Sequence, residues 1–273
     1  MNNPPNSALT PQVFLSHLFV VLDQNTYDAL MQTSDVAALA AVEQKSVVAE
    51  SSSWTGFYIR GRQTYIEFFN SANAPTGLRL DDSGLALTVE ESGGVARVAA
   101  RWRPAFGEKV EVGDTTRSTL SGPIPWFTAV AVHASAPSAL ETWVMEFDPN
   151  YLAKMHAGST IAHPLTRQQY LSWDYLPTRP LEEVVGATVA LNASENEQLA
   201  TELELIGWHV DRNAGGFMAT GPDFNLVATV ATGRAGIREI KLRLHRAVAK
   251  RELRLGSARL ILEGRAARFA FWQ

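Results

Sequence analysis

The chain has 273 residues, of which 46% are hydrophobic and 19% charged, and its net charge is −4, as is typical of a globular protein. It contains no cysteine, which excludes disulfide bonds, thiolate metal ligands and a cysteine nucleophile and agrees with a reducing compartment. No run approaches the roughly eighteen apolar residues of a membrane span, so we expect a cytoplasmic protein with no membrane partner.

The first segments predict a tail, an interior strand and a helix. Residues 1–12 are polar and rich in proline, which predicts a disordered tail. Val13 to Asp23 is apolar on both faces, as in a strand with layers above and below it. Alternation along this strand would place His17 on the same face as Leu15. A helix is then predicted from near Asn25.

The stretch Ser53 to Asn70 predicts a tight hairpin. Two β-prone runs flank Gly61-Arg62, and glycine at the first central position suits a two-residue type II′ turn. The second strand carries one carboxylate, Glu67, on the same face as Tyr65 and Phe69. Burying an unpaired carboxylate costs roughly several kcal/mol, so this residue requires an explanation.

Two explanations of Glu67 remain open from the residues alone. The functional one is a metal ligand or general base in a pocket, and the structural one is an edge-strand carboxylate paired with Arg60 or Arg62. In the functional explanation Tyr58 and Tyr65 line the pocket beside it, where their hydroxyls would orient a polar ligand.

Three further residues are candidates for ligand binding. Phe69 follows Glu67 on the same face and would add an apolar wall. Arg60 would neutralise an acidic substrate, although beside a tight turn it is also a normal solvated residue. Trp126, in P-I-P-W-F, is either a packing residue or a stacking platform.

The order of a strand, a helix and antiparallel strands recurs along the chain. A second unit runs from Gly84 to Phe147, and residues 13–148 therefore form a first pair of modules. Residues 149–182 are rich in proline and carry an aromatic run, which predicts a linker packed against a domain. Residues 183–273 form a second, abbreviated pair, and its helix is predicted to start with a capping box of Ser194 and Glu197.

The C-terminal part is strongly basic. Between Arg234 and Arg268 there are eleven Lys or Arg and three Glu residues, an excess that can mark a nucleic-acid surface. In Ile237 to His245, however, charged and apolar residues alternate, as in a half-solvated strand. We therefore expect no nucleic-acid partner.

Several motifs resemble those of a known superfamily. H-L-F-V-V-L-D opens the first unit and T-Y-I-E-F-F-N closes it, and the helix of the third unit ends in L-I-G-W, followed by G-G-F-M-A-T-G-P-D-F-N-L-V-A-T-V. This pattern resembles the vicinal oxygen chelate superfamily of glyoxalases and extradiol dioxygenases, and in particular its uncharacterised glyoxalase-like domains. The resemblance implies an α+β fold in which repeated βαβββ modules form cupped mixed sheets around a ligand.

The resemblance also implies a set of metal ligands. In that superfamily, ligands come from the first and last strands of modules, positions that His17, Glu67 and Glu146 occupy here. They would bind a divalent metal such as Mn, Fe, Ni or Zn, and Glu67 or Glu146 would be the proton-transfer base. The second unit opens with G-L-A-L-T-V-E, which lacks the expected His or Glu ligand.

Two functions are therefore expected from this resemblance. The first is a metal-dependent enzyme with lyase, isomerase or dioxygenase chemistry on an oxygen-chelating small molecule. The alternative is a metal-free protein that binds or sequesters a small molecule on the same fold, for which a half-kept ligand set is typical. A homodimer is compatible with both functions.

Overall fold

The structure, a computed structural model, describes residues 10–49, 53–133, 138–156 and 164–271. Residues 1–9, which make up most of the predicted tail, lie outside these ranges. No helix within them is long and apolar enough to cross a membrane.

The first sheet is built from two βαβββ modules, as the sequence predicts. The first module comprises β1 (Val13–Leu22), α1 (Gln24–Gln32), α2 (Ser34–Leu39), β2 (Ala41–Val48), β3 (Ser53–Arg60) and β4 (Tyr65–Asn70). The second comprises β5 (Ser83–Val89), α3 (Gly94–Phe106), a 3-10 helix (Gly107–Lys109), β6 (Val110–Thr119), β7 (Gly122–Val132) and β8 (Leu140–Phe147). The strand order is β2-β3-β4-β1-β5-β8-β7-β6, and the antiparallel pair of β1 and β5 joins the modules.

The second sheet contains the third module and a final hairpin. After the connecting helices α4 (Tyr151–Met155) and α5 (Arg167–Leu171) come β9 (Leu181–Leu191), α6 (Ala193–Leu205), β10 (His209–Asn213), β11 (Gly216–Thr220), β12 (Asn225–Val230), β13 (Gly236–Leu255) and β14 (Ala258–Phe271). The strand order is β10-β11-β12-β9-β13-β14, and the last unit has no helix in the described chain, as predicted. The α+β fold of repeated modules in cupped mixed sheets is confirmed.

The main hydrophobic core lies between the two sheets and includes the helices of the modules. Trp102 of α3 is fully buried, and its Nε1 donates to the carbonyl of Glu202 in α6 at 3.0 Å. Phe68 of β4 packs against Phe269 and Phe271 of β14, with ring centroids 5.6 and 6.1 Å apart. Because the helices occupy this side of the first sheet, its other face is left for the site described below.

The hairpin of β3 and β4 has a longer loop than predicted. Arg60 pairs with Tyr65, and Gly61 N donates to the carbonyl of Thr64 at 2.8 Å, which makes a four-residue loop over 61–64. The prediction of a two-residue turn is wrong because the second sheet binds this loop. Its amides donate to β9: the N–H of residue 62 to the Glu182 carbonyl at 2.8 Å, and that of residue 63 to Glu183 Oε2 at 3.1 Å.

A bulge in β1 separates His17 from Leu15. The pairing of β1 with β5 shifts register between these two residues, so their side chains lie on opposite faces. Leu15 is in the main core, whereas His17 lines the cavity on the other face together with Phe19. The prediction from strict alternation that His17 lies on the same face as Leu15 is therefore wrong.

The helix α6 is capped two residues earlier than predicted. Asn192, rather than Ser194, is the N-cap, and its side chain accepts from the N–H of Glu195 at 2.9 Å. The Glu195 carboxylate in turn accepts from the N–H of Asn192 at 3.0 Å, which completes a capping box. Asn and Ser are both good N-caps, so the sequence alone did not separate these two starts.

Candidate ligand-binding site

The face of the first sheet that points away from the main core lines a cavity of about 450 Å³. Side chains of the connecting helices α4 and α5 add to its wall. This volume lies within the range of small-molecule sites, roughly 300–1,000 Å³. Seven of the eight candidate residues from the sequence line it, namely His17, Tyr58, Arg60, Tyr65, Glu67, Phe69 and Trp126. Their roles toward a ligand stay predictions.

Glu67 lies at the centre of the aromatic strand face, as the alternation of β4 predicts. Its side chain is buried between Tyr58 on β3 and Phe19 on β1, its partners in the strand pairing. Trp54 Nε1 donates to Glu67 Oε1 at 2.9 Å. Gly56 leaves room for the carboxylate, because a Cβ added there would lie 2.5 Å from Oε1. The carboxylate therefore occupies space beside β3 that a larger residue at position 56 would take from it.

Burial raises the pKa of Glu67 from 4.5 to about 7, although hydrogen bonds from Tyr58 and Trp54 and the charge of Arg60 oppose this rise. Burial, together with the charge of Glu67, also raises the pKa of Tyr58 above its ordinary value. Tyr58 is therefore a protonated donor at neutral pH, while Glu67 exchanges between its acid and its carboxylate. The site contains a group that titrates in the physiological range.

His17 is a neutral ring packed among aromatic side chains. Its imidazole stacks on Tyr65 with centroids 4.3 Å apart and meets Trp143 edge-on at 5.6 Å. Its Nδ1 is hydrogen-bonded to Ser16 Oγ at 3.2 Å. Burial lowers the pKa of His17 from 6.5 to about 3, so the ring carries no charge at neutral pH.

The two arginines near the hairpin do not pair with Glu67. Arg60 is buried beside Tyr58 and forms ion pairs with Glu43 at 2.7 Å and Asp174 at 3.4 Å. Arg62 lies at the loop and contacts carboxylates of β9. Within the described ranges Glu67 has no ion-pair partner, so the structural explanation offered by the sequence does not hold.

An aromatic wall beside Glu67 combines Trp54 of β3 with side chains of the second module and the connector. Trp54 and Trp126 are nearly parallel, with centroids 6.5 Å apart and an angle of 14° between their planes. Trp126 also stacks on Tyr151 at 6.0 Å, and its Nε1 donates to Tyr170 Oη at 3.2 Å. The Arg117 guanidinium lies 5.4 Å from the centre of the Trp126 ring and donates to Tyr151 Oη at 2.7 Å.

Sequence reasoning missed four of these residues. Alternation could have found Trp54, which precedes Tyr58 by four positions in the same strand. Tyr170 lies in the linker that was predicted to pack against a domain, and it does so. No pattern identifies Arg117 or Tyr151, because their contacts come from the folding of the connector onto the second module.

Glu146 lies on the opposite face of β8 from the cavity. Its Oε1 accepts from the N–H of Gly93 at 2.8 Å and its Oε2 from the N–H of Val95 at 3.2 Å, at the start of α3. Its neighbour Met145 lines the cavity instead. This placement corrects the predicted ligand set, because alternation turns position 145 toward the cavity and position 146 toward the helix.

Strand register shows why the comparison of Glu67 with Glu146 was one residue out. His17 and Ala86 pair where the modules meet, and their partners on the closing strands are Tyr65 and Trp143. Two residues further along each closing strand, the first module has Glu67 and the second module has Met145. The residue equivalent to Glu67 therefore has no carboxylate.

The residues present do not fit the metal centre that the resemblance implies. Of the predicted ligands, only His17 and Glu67 line the cavity, and the second module contributes Trp143 and Met145 at the corresponding places. Among the described residues, no three His, Asp or Glu side chains come close enough together to hold a metal ion. A centre with three protein ligands would need a further donor from this wall.

The module order and the cupped first sheet define a protein of an α+β fold class built from repeated βαβββ modules. The chain belongs to the Family of unknown function (DUF5829), which it matches over residues 15–271. No curated protein matches the chain.

Three solved structures that match this chain have little sequence in common with it. A hypothetical protein from Staphylococcus aureus has a TM-score of 0.57 and 8% identity, with 89% of this chain and 95% of that chain covered. A xylose isomerase-like TIM barrel/4-hydroxyphenylpyruvate dioxygenase fusion protein has a TM-score of 0.45 and 12% identity, with 87% and 37% covered. A variant of homoprotocatechuate 2,3-dioxygenase from B. fuscum has a TM-score of 0.44 and 12% identity, with 99% and 75% covered.

Proposed function

We propose that the cavity of the first sheet binds a small planar aromatic molecule, and that the protein sequesters it without a metal centre of three protein ligands. The observation that carries the proposal is the environment of Glu67, a buried carboxylate held by neutral donors inside an aromatic wall. Apolar cavities with a few converging polar groups are typical of small-molecule sites.

The aromatic wall suits a flat ligand. Trp54 and Trp126 present nearly parallel rings, and Phe19, Tyr65 and Trp143 form a second group near His17. Each aromatic pair contributes about 0.5–1.5 kcal/mol beyond the area it buries, so several such contacts give useful affinity. The polar groups then fix the orientation of the ligand.

Metal-dependent chemistry of the superfamily is less well supported. It would require a third ligand near His17 and Glu67, and Glu146 instead binds the first amides of α3. The wall opposite offers Met145 and Trp143, whose side chains are poor ligands for Mn, Fe, Ni or Zn in such a centre. The residues that line the cavity therefore support sequestration of a ligand better than they support metal catalysis.

A second candidate is an enzyme that uses Glu67 as a general base. A carboxyl with a pKa of about 7 is suited to proton transfer near neutral pH, and Tyr58 is a neutral donor beside it. Turnover separates the two candidates, because a sequestering protein returns the bound molecule unchanged.

Isothermal titration with 2-naphthol, a neutral two-ring probe, tests the proposal. We expect one binding site per chain and recovery of unchanged 2-naphthol. Trp126→Leu should weaken binding about tenfold or more, since it loses stacking in the cavity. Trp173→Leu is the matched control, because Trp173 is 60% exposed and does not line the cavity. Equal affinities of the two variants, or no binding by the unmodified protein, would contradict the proposal.

A further inference from the structure

We propose that the ligand is bipolar, with a protonated amine that contacts Glu67 and an acidic group that contacts Arg117, at opposite sides of the stacked pair of Trp54 and Trp126. This inference rests on the proposed function and names the class of aromatic molecule. Its basis is the pairing of charges around the cavity. Glu67 and Arg117 have neutral hydrogen-bond partners, whereas Arg60 forms ion pairs with Glu43 and Asp174.

The Glu67 side favours a cation. Its carboxylate receives hydrogen bonds from Trp54 and Tyr58, both neutral donors, and no Lys, Arg or His of the described chain forms an ion pair with it. The rings of Phe19, Tyr58 and Tyr65 occupy the adjacent positions on the three strands. An ammonium group placed here would gain both an ion pair and contacts with aromatic faces.

The Arg117 side favours an anion. Its guanidinium lies over Trp126 and donates to the Tyr151 hydroxyl, a neutral acceptor. Arg60, the other arginine of the cavity, is already neutralised by Glu43 and Asp174. No carboxylate in the described ranges pairs with Arg117, and an arginine has five N–H donors, so it has donors left for a carboxylate or a similar acid.

The aromatic pair separates these two groups. Trp54 binds Glu67 through its Nε1, and Trp126 supports the Arg117 guanidinium on its ring. A flat ligand lying along the two indoles reaches both sides of the wall. One charged group alone would leave either the carboxylate or the guanidinium without its countercharge in a cavity of low dielectric.

Four naphthalene probes of nearly equal size test the inference by isothermal titration at pH 8, where Glu67 is mostly ionised. They are 2-naphthamide, 2-naphthylmethylamine, 2-naphthoate and 6-(aminomethyl)-2-naphthoate. We expect the last to bind about tenfold or more tightly than the neutral amide. Glu67→Gln should weaken the two amines and spare 2-naphthoate, whereas Arg117→Gln should weaken the two carboxylates and spare 2-naphthylmethylamine.

Arg62→Gln is the control, since it removes a charge outside the cavity and should leave all four affinities unchanged. Binding of the neutral amide as tightly as the bipolar probe would overturn the inference and leave the proposed function standing. A preference for the amine without any preference for the acid would also overturn it. No binding of any probe, including the neutral one, would instead count against the proposed function.

Discussion

The indole nitrogen of Trp54 lies 2.9 Å from the carboxylate oxygen of Glu67 and 3.2 Å from the hydroxyl of Tyr58. These contacts satisfy the hydrogen bonding of a buried acid without neutralising its charge. A buried carboxylate with neutral partners has a raised pKa and destabilises the folded state when it ionises. In the cavity, such a group is suited to binding a cation or to exchanging a proton with a ligand.

Removing the space that Gly56 leaves for Glu67 should displace the carboxylate. In Gly56→Ala the new Cβ would lie 2.5 Å from Oε1, so we expect a loss of stability of about 1–3 kcal/mol and a changed Trp54 fluorescence. Gly113→Ala is the matched control in a strand of the same sheet, because nothing lies within 4 Å of its added Cβ. Urea unfolding of the two variants measures the difference. Equal stabilities would show that the carboxylate does not occupy this place.

Glu67→Gln should make the protein more resistant to unfolding at neutral and alkaline pH. The folded-state pKa of about 7 exceeds the unfolded value of 4.5, so the stability that the proton provides is complete below 4.5 and is lost as pH rises through 7. The variant should therefore gain relative to the unmodified protein over this window, by roughly 3 kcal/mol at most. Urea unfolding between pH 4 and 8 measures the gain. A difference in free energy of unfolding between the two proteins that stays constant over this range would contradict the raised pKa of Glu67.

Glu202→Gln provides a comparison at a second buried acid. Glu202 accepts from Gln198 and Thr142 at 2.8 Å between α6 and β8, and burial raises its pKa to about 7 as well. We therefore expect Glu202→Gln, like Glu67→Gln, to gain stability relative to the unmodified protein as pH rises through 7. Titration of 2-naphthol should be unaffected in this variant, since Glu202 lies outside the cavity. Weakened binding would indicate that both acids act on the site.

His17→Gln should make the stability of the protein less sensitive to acid. Because the folded-state pKa of about 3 lies below the unfolded value of 6.5, stability is complete above 6.5 and falls as pH decreases toward 3. The unmodified protein should therefore lose more stability than the variant between pH 6.5 and 4. Thermal unfolding at several pH values tests this. A difference in Tm between the two proteins that does not change with pH would show that the pKa of His17 is not lowered.

Glu146→Ala should affect stability and leave the cavity intact. The carboxylate accepts from two amides at the start of α3, an interaction worth about 1 kcal/mol at a helix N-terminus. We expect a loss of this size in urea unfolding and unchanged affinity for 2-naphthol. A large loss of affinity with normal stability would restore Glu146 as a residue of the site.

Much of the fold and part of the site could be predicted because they depend on local patterns. The period of two in β4 put Tyr65, Glu67 and Phe69 on one face, and the structure places that face in the cavity. Repetition of one unit along the chain gave the module order. The aromatic linker was expected to pack down, and Tyr170 lies in the cavity wall.

The wrong or missing predictions concern features that are determined by contacts between distant parts of the chain. The resemblance places Glu146 at the ligand position of the second closing strand, but the pairing of β5 with β8 puts position 145 there instead. The bulge before His17 and the binding of the hairpin loop by Glu182 and Glu183 depend on neighbouring strands. Arg117 follows two threonines in a polar strand, and only the fold brings it over Trp126.

Titration of 2-naphthol into protein stripped of metal with a chelator, before and after addition of Mn²⁺, tests the central claim most directly. We predict one site per chain with the same affinity in both states, because Trp54, Trp126 and Glu67 form the site without a metal centre of three protein ligands. Binding that appears only after Mn²⁺ is added, and that is lost in His17→Ala, would contradict this account.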